Sequence, residues 1–334
     1  MKAFMIERYG DRAGVHAAER PDPVPGADDV LVRIHAAGVN PLDLKIRDGE
    51  FRTFLSYRFP LVLGNDFAGV VVRVGSGVTR FAVGDEVYAR PGKDRIGTFA
   101  ELIAVHQDDV AIKPANLTMT EAASLPLVAL TAWQALVERA QVRPGQKVLI
   151  HAGSGGLGTI AIQLAKHLGA HVATTVSTAK ADLVRELGAD VVVDYRTQDF
   201  ASVLHDYDVV LDSLGGETLE KSLRVLRPGG KVIGVAGPPD AAFARELGAN
   251  AILRLVMGAL SFRTRRLAER RGVTYSFLFM KADGGQLRRI TPLIEAGKIR
   301  PVVDSVFPFD RTRQALEYVE EGRAKAGKVV VAMT

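Results

Sequence analysis

The sequence predicts an α/β protein: a β-rich first part, then a doubly wound parallel sheet. Three observations lead there. Through about the first 120 residues, strand-like runs such as VLVRIHAAGV, AGVVVRVG, GDEVYA and TFAELIAV alternate with Gly, Pro and Asp punctuation. From about residue 119 the texture changes to helical stretches, and then to short apolar runs alternating with helical patterns of about ten residues. A glycine-rich turn stands between one of those apolar runs and the helix after it.

The elements follow in order. TMTEAASLPLVALTAWQALVERA is helix-rich, and Pro126 is predicted to kink or restart it. Strand KVLIHA comes next, then a helix from Gly156 to His167, strand HVATTV, a helix from Ala179 to Leu187, and strand VVVDY. Strand DVVLDS, helix TLEKSLRVL and strand KVIGVAG follow. An internal echo, RPGQKVLIHAG at 143–153 and RPGGKVIGVAG at 227–237, is consistent with two similar halves. The chain closes with VVDSVFPF, a helix from Arg311 to Glu321 and a final strand KVVVAM.

Composition narrows the function classes. No run of eighteen apolar residues is present, so no transmembrane helix is expected. The opening MKAFMIERYG carries charges and does not read as a signal peptide. The absence of cysteine excludes disulfides, thiol nucleophiles and thiolate-held zinc, and makes a cytoplasmic location the default expectation. A net charge of +5 is mild for 334 residues, and no stacking-aromatic motif accompanies it, so a nucleic-acid partner is not expected.

After KVLI comes HAGSGGLGTIAIQLAKHLGA, in which Gly153, Gly155 and Gly158 fit G-x-G-x-x-G, with Gly156 as an extra glycine and Leu157 between. The first glycine is expected to permit the tight turn, the second to let backbone approach a pyrophosphate, and the third to let helix pack on strand. The helix start offers backbone N–H groups and a positive dipole end to the anion. The strand before and the helix after supply the context that makes this a dinucleotide site. A ribose-reading acid belongs roughly twenty residues beyond the first glycine. Ser177 stands there instead, with Lys180 just after it, and the nearest acid, Asp182, is already inside the next helix. A missing carboxylate removes repulsion toward a 2′-phosphate and a lysine supplies charge, so NADPH is expected over NADH. Ser177 is equally an ordinary helix N-cap. Tyr195, ending the next strand, is placed on the adenosine side.

With these residues in hand, the chain resembles the zinc-independent medium-chain dehydrogenase/reductases of the NADPH:quinone oxidoreductase and alkenal reductase type. The resemblance rests on AAGVNPLDLKIRDG (36–49), FPLVLGNDFAGVVVRVGSGVTRFAVGDEVYA (59–89), AASLPLVALTAWQAL (122–136), the loop at 152–158, LGADVVVDY (187–195) and AGKVVV (326–331). It implies a GroES-like catalytic domain from 1–124 and 281–334, a Rossmann NADPH-binding domain at 125–280, and a homodimer. The zinc-containing relatives carry a cysteine in the block matching 38–43 and Gly-His-Glu in the block matching 64–66. This sequence has Asn40 and Gly64-Asn65-Asp66 there, and its seven histidines form no paired ligand motif, so no catalytic metal is expected.

Without a Lewis acid, a conjugated acceptor is the easier hydride partner, because its oxygen gains charge gradually and hydrogen-bond donors stabilise it. Quinones and α,β-unsaturated carbonyls are therefore the expected substrates, with reduction of an enoyl thioester, or NADPH binding without catalysis, as the alternatives. The resemblance points to Asn40 as an amide donor to the substrate oxygen, and to Asp43 and Tyr57, with Lys45, near the reacting end. Asn40-Pro41-x-Asp43 also reads as a helix N-cap with a third-position acid, which is the favoured reading for Asp43. Thr131, Ala236, Phe277 and Leu278 match family positions around the nicotinamide.

The stretch AILRLVMGALSFRTRRLAERRG (251–272) has two readings. One is an interfacial helix that meets membrane quinones. The other, favoured because the apolar stripe is no richer than a core-facing one, is a helix packed on the sheet with solvated arginines near its C-terminus.

Overall fold

The computed structural model describes residues 1–12, 14–52 and 55–333. The chain forms two compact units, Met1–Leu130 with Lys281–Thr334, and Thr131–Met280. The first segment carries β1 (Lys2–Ile6), β2 (His16–Glu19), β3 (Asp29–Val39), β4 (Leu61–Val62), β5 (Asp66–Val74), β6 (Glu86–Ala89), β7 (Leu102–His106) and β8 (Val110–Ile112). The second unit carries β9 (Lys147–Ile150), β10 (His171–Val176), β11 (Val191–Asp194), β12 (Tyr207–Asp212), β13 (Leu226–Gly234) and β14 (Thr274–Phe277). The chain then returns to the first unit for β15 (Val303–Pro308) and β16 (Lys328–Ala332).

In the first unit a seven-stranded sheet runs β15-β16-β3-β5-β6-β8, with β7 also pairing β3, beside a small sheet ordered β2-β1-β4. Its core gathers residues distant in sequence, among them Phe4, Val32, Phe67, Phe99 and Val331. Two registers matter for the site. Gly38 on β3 pairs with Asp66 on β5, and Val39 pairs with Val329 on β16. The end of β3 is thus flanked by Asp66 on one side and by the residue before Val329, Lys328, on the other.

The second unit is a six-stranded parallel sheet ordered β11-β10-β9-β12-β13-β14. Counted from β9, this is the order 3-2-1-4-5-6 of dinucleotide-binding sheets. Val148, Leu149 and Ile150 are wholly buried, as a strand covered on both faces requires.

The expected helices form, with shifted ends. Thr118 and Glu121 form a reciprocal capping box for Met119–Ala123, and Pro126 opens the next helix, Pro126–Trp133. That helix runs into a π-helical stretch, Gln134–Arg139, which nothing in the residue pattern announces. The helix expected from Ala179 is a 3-10 turn, Thr178–Lys180, followed by Ala181–Glu186. The expected packing of the 251–272 stretch on the sheet holds for its second helix, Phe262–Glu269, which lies against β14 with Thr264 and Ala268 buried, but not for its first. In the helix Ala251–Leu260 only Met257 is buried, while Ile252, Leu255, Val256 and Leu260 face solvent.

Candidate active site

At the carboxyl ends of β9 to β12 the second unit opens a cavity of about 740 Å3, lined among others by Ala152, Gly155, Thr175, Tyr195, Arg196 and Lys221. This is the crevice where the strand order reverses, and its size suits a small-molecule or cofactor site.

The glycine turn is built differently from expectation. Gly153 is not the left-handed residue; Ala152 is, with φ 52°. Gly153 is required by close packing, because a Cβ there would lie 2.1 Å from Thr174 Oγ1 on β10. At Gly158 a Cβ would meet Ala152 O at 2.3 Å and Gly153 Cα at 2.6 Å, so this glycine does let the helix close on the turn. The helix Gly156–His167 has no side-chain cap at Gly155. Thr159 donates to Gly155 O at 3.0 Å, and the amides of Gly156, Leu157 and Gly158 precede that bond at the helix start. A turn with no room for a side chain at Gly153 or Gly158, leading to open helix-start amides beside a crevice of this volume, fits a dinucleotide pyrophosphate.

Ser177 and Lys180 lie at the end of β10 but do not line the cavity; Tyr195 does, together with Arg196. Ser177 starts the 3-10 turn without a side-chain cap bond. Arg196 stacks its guanidinium 5.9 Å from the Tyr195 ring centroid. Arg196 and Lys221 are the cavity cations that sequence reasoning missed, although the place of Arg196 just past the family block 187–195 was a usable signal. An acid does stand near this turn: Asp194, ending β11. Its carboxylate accepts from Thr178 Oγ1, from Thr178 N at 3.1 Å and from Arg196 N at 2.9 Å, and the Thr178 hydroxyl leads in holding its pKa down. Lys221 is paired with Asp199 at 3.1 Å and Glu217 at 3.2 Å.

His151, buried on the cavity wall, bonds Thr175 Oγ1 through Nδ1 at 3.1 Å and Ser222 Oγ through Nε2 at 2.9 Å. Burial pushes its pKa down to about 4, so the ring is neutral near pH 7. Ala236 follows β13. Phe277 and Leu278 are buried at the end of β14, their amides donating to Asp240 Oδ2 at 3.0 Å and Gly234 O at 2.9 Å. Thr131 is buried in the helix Pro126–Trp133.

The first unit holds a buried polar cluster at the end of β3. Asn40 donates from Nδ2 to Asp66 Oδ2 at 2.9 Å and to Gly38 O at 3.3 Å, and its Oδ1 accepts from Lys328 Nζ. Its side chain is therefore not free, contrary to the expectation of an amide turned to substrate. Asp43 Oδ2 accepts from Asn40 N at 2.7 Å, as the N-cap reading requires, and Asp43 Oδ1 accepts from Asn65 Nδ2 at 2.7 Å. Asp66 also accepts from Lys328 Nζ at 3.1 Å and from Leu127 N at 2.7 Å. Burial pushes Asp43 up to about 7, against the downward pull of Asn65, the Asn40 amide and Lys328.

Tyr57, partly buried, donates from Oη to Lys93 O at 2.8 Å. Burial drives its phenol well above the usual tyrosine range, only partly offset by the charge of buried Arg90. Phe54, three residues before Tyr57, lies outside the described residues. Lys45 pairs with Glu50 at 3.2 Å.

The cluster does not suit zinc. Where zinc-containing relatives have Cys and Gly-His-Glu, the chain has two neutral amides and one carboxylate, and the Lys328 ammonium sits among them. Among the described residues no three His, Cys, Asp or Glu side chains gather as a metal site. Lys328 was assigned no role from the sequence; a lysine opening the apolar strand KVVVA was the overlooked signal.

Comparison with known proteins agrees with this geometry. The alcohol dehydrogenase GroES-like domain matches residues 26–115, and the zinc-binding dehydrogenase family matches 187–331. The chain is 35% identical to the mitochondrial NAD(P)H oxidoreductase RTN4IP1 of Danio rerio, covering 100% of this chain and 91% of that protein. It is 37% identical to the chloroplastic NADPH-dependent alkenal/one oxidoreductase of Arabidopsis thaliana, covering 99% of this chain and 79% of that protein. The quinone oxidoreductase structure from Coxiella burnetii superposes with a TM-score of 0.86 at 30% identity, covering 100% of this chain and 99% of that one. The expected cytoplasmic location is overturned, since these full-length relatives are mitochondrial and chloroplastic proteins. With a GroES-like unit, a Rossmann sheet and an ammonium among the former ligand positions, the chain belongs to the zinc-independent branch of the medium-chain dehydrogenase/reductase family, among the quinone and alkenal oxidoreductases.

Proposed function

We propose that the chain is an NADPH-dependent, metal-free reductase of quinones or α,β-unsaturated aldehydes and ketones. The observation that carries this is the crevice at the carboxyl ends of β9 to β12, with its tightly packed glycine turn and Arg196 on its wall. The names of the Arabidopsis alkenal/one oxidoreductase and the Coxiella quinone oxidoreductase support the same acceptors here.

NADPH, when bound, supplies the hydride. The chain's residues bind and orient. Backbone at Gly153, Gly155, Gly156, Leu157 and Gly158 is assigned to the pyrophosphate. Ser177, Lys180 and Tyr195, joined by Arg196, are assigned to the 2′-phosphate and adenosine side. Thr131, Ala236, Phe277 and Leu278 are assigned to the nicotinamide end. Tyr57, kept protonated by burial, is assigned as the hydrogen-bond donor for the acceptor oxygen, a role in which its single O–H leaves Lys93 O for the substrate. Asn40 and Asp43, with their side chains already bonded, act by positioning the turn after β3. We further infer a homodimer from the family resemblance, supported by β14 being an edge strand; no nucleic acid enters this reading. Sedimentation velocity tests the dimer.

The test of function is consumption of NADPH and NADH, in parallel and with a chelator present, against a quinone panel and a 2-alkenal panel. Turnover with NADPH that the chelator leaves intact is expected, and Tyr57→Phe is expected to lower kcat about tenfold or more. Tight NADPH binding with no turnover on either panel would overturn the proposal.

A further inference from the structure

Between β13 and β14 the chain carries two short helices whose surface matches neither a core-facing helix nor an ordinary solvated one. In Ala251–Leu260, Ile252 and Leu255 are each 75% exposed and Leu260 60%, with Val256 exposed beside them. Phe262, at the start of Phe262–Glu269, is 55% exposed. Positions 252, 255, 256 and 260 fall on one helical stripe. The pair is anchored inward by Met257, Ser261, Thr264 and Ala268.

The charge around this stripe is one-sided. Residues 241–272 hold seven arginines against two glutamates, a net charge of +5 that equals that of the whole chain. Arg263 is paired with Glu220 at 2.9 Å, Arg254 Nε donates to Ala249 O, and Arg266 stacks on Phe262. Arg270 and Arg271 are exposed just beyond the second helix. An isologous contact with a second copy would set this basic patch against itself. Apolar side chains flanked by arginines complement an anionic lipid surface, where the chains enter the headgroup boundary and the guanidinium groups meet phosphates.

We propose that the helix pair 251–271 is a peripheral docking surface for anionic bilayers. The inference stands on this surface alone and is independent of which acceptor the enzyme reduces. Lying in the plane of the interface, two helices this short give weak, salt-sensitive attachment rather than insertion.

The test is flotation of the full chain with phosphatidylcholine vesicles and with vesicles containing phosphatidylglycerol, at low and high salt. The expected result is association with the anionic vesicles alone at low salt, falling about tenfold or more in high salt. Ile252→Ser with Leu255→Ser, and separately Arg270→Glu with Arg271→Glu, are each expected to lower it about tenfold. Circular dichroism and NADPH binding equal to wild type would show that these variants remain folded. No association with anionic vesicles at low salt would overturn the proposal. So would association that both double variants leave unchanged. Concentration-dependent self-association abolished by the serine variant, without vesicle binding, would assign the surface to a second copy instead.

Discussion

Around the Gly153–Gly158 turn the groups assigned to the cofactor are main-chain atoms, and at Gly153 and Gly158 close packing leaves no room for a side chain. Around Asn40 they are side chains, almost wholly buried, contributed by the end of β3, the helix start at Asp43, the start of β5 and the first residue of β16. One region is sensitive to an added atom, above all at Gly153 and Gly158; the other is sensitive to a lost charge. The difference shows how a single chain shapes one region by local turn geometry and another by long-range pairing.

Removing a charge should have the largest effect. Lys328→Met leaves Asp66 buried without its cation, and urea unfolding should show a loss of about 3–5 kcal/mol. Adding Asp66→Asn should cost less than the sum of the two single losses, because the residues share one network. Additive losses would mean that the ammonium and the carboxylate are not coupled.

Adding an atom comes next. Gly158→Ala should cost about 1–3 kcal/mol by overpacking and weaken NADPH binding. Gly155→Ala should be milder, since its Cβ would meet Ala152 O at 3.2 Å. Thermal unfolding and a cofactor titration read both.

Charge at the crevice sharpens the comparison further. Arg196→Ala should weaken NADPH about tenfold and leave NADH nearly unchanged, whereas Lys180→Ala, outside the cavity lining, should do less. The reverse ranking, measured by calorimetric titration, would return the 2′-phosphate to Lys180.

The smallest effects come from pH, and the two regions titrate in opposite senses. Asp43 keeps its proton to about 7 when folded and releases it near 3.8 when unfolded. Its contribution to stability is therefore greatest below about pH 4 and is lost as pH rises to about 7. His151 binds a proton near 6.5 when unfolded and only near 4 when folded, so stability falls as pH drops from about 6.5 toward 4. In wild type these slopes oppose each other. His151→Phe should show stability falling with rising pH, and Asp43→Asn should show it rising, over the same window.

The same contrast explains what was legible in the sequence. The alternation from KVLI onward and the glycine loop announce the parallel sheet and its crevice, because a turn and the helix after it are contiguous. That the left-handed residue is Ala152 rather than Gly153 was hidden, since the need for glycine at 153 comes from Thr174, on a neighbouring strand. The cluster at Asn40 was half visible. Asp43 as a capping acid follows from Asn-Pro-x-Asp, but Lys328 reaches Asn40 only through the pairing of β16 with β3, 288 residues apart. The first half of the 251–272 stretch, Ala251–Leu260, was misjudged because periodicity marks a stripe without telling which way it faces.

The most direct test follows label from NADPH deuterated on the transferring face of its nicotinamide ring into the product of a 2-alkenal, with a chelator present. Deuterium on the β-carbon of the saturated product, at a rate that the chelator leaves unchanged, is the predicted result. Product without label, or activity that disappears with the chelator and returns with zinc, would contradict direct metal-free hydride transfer.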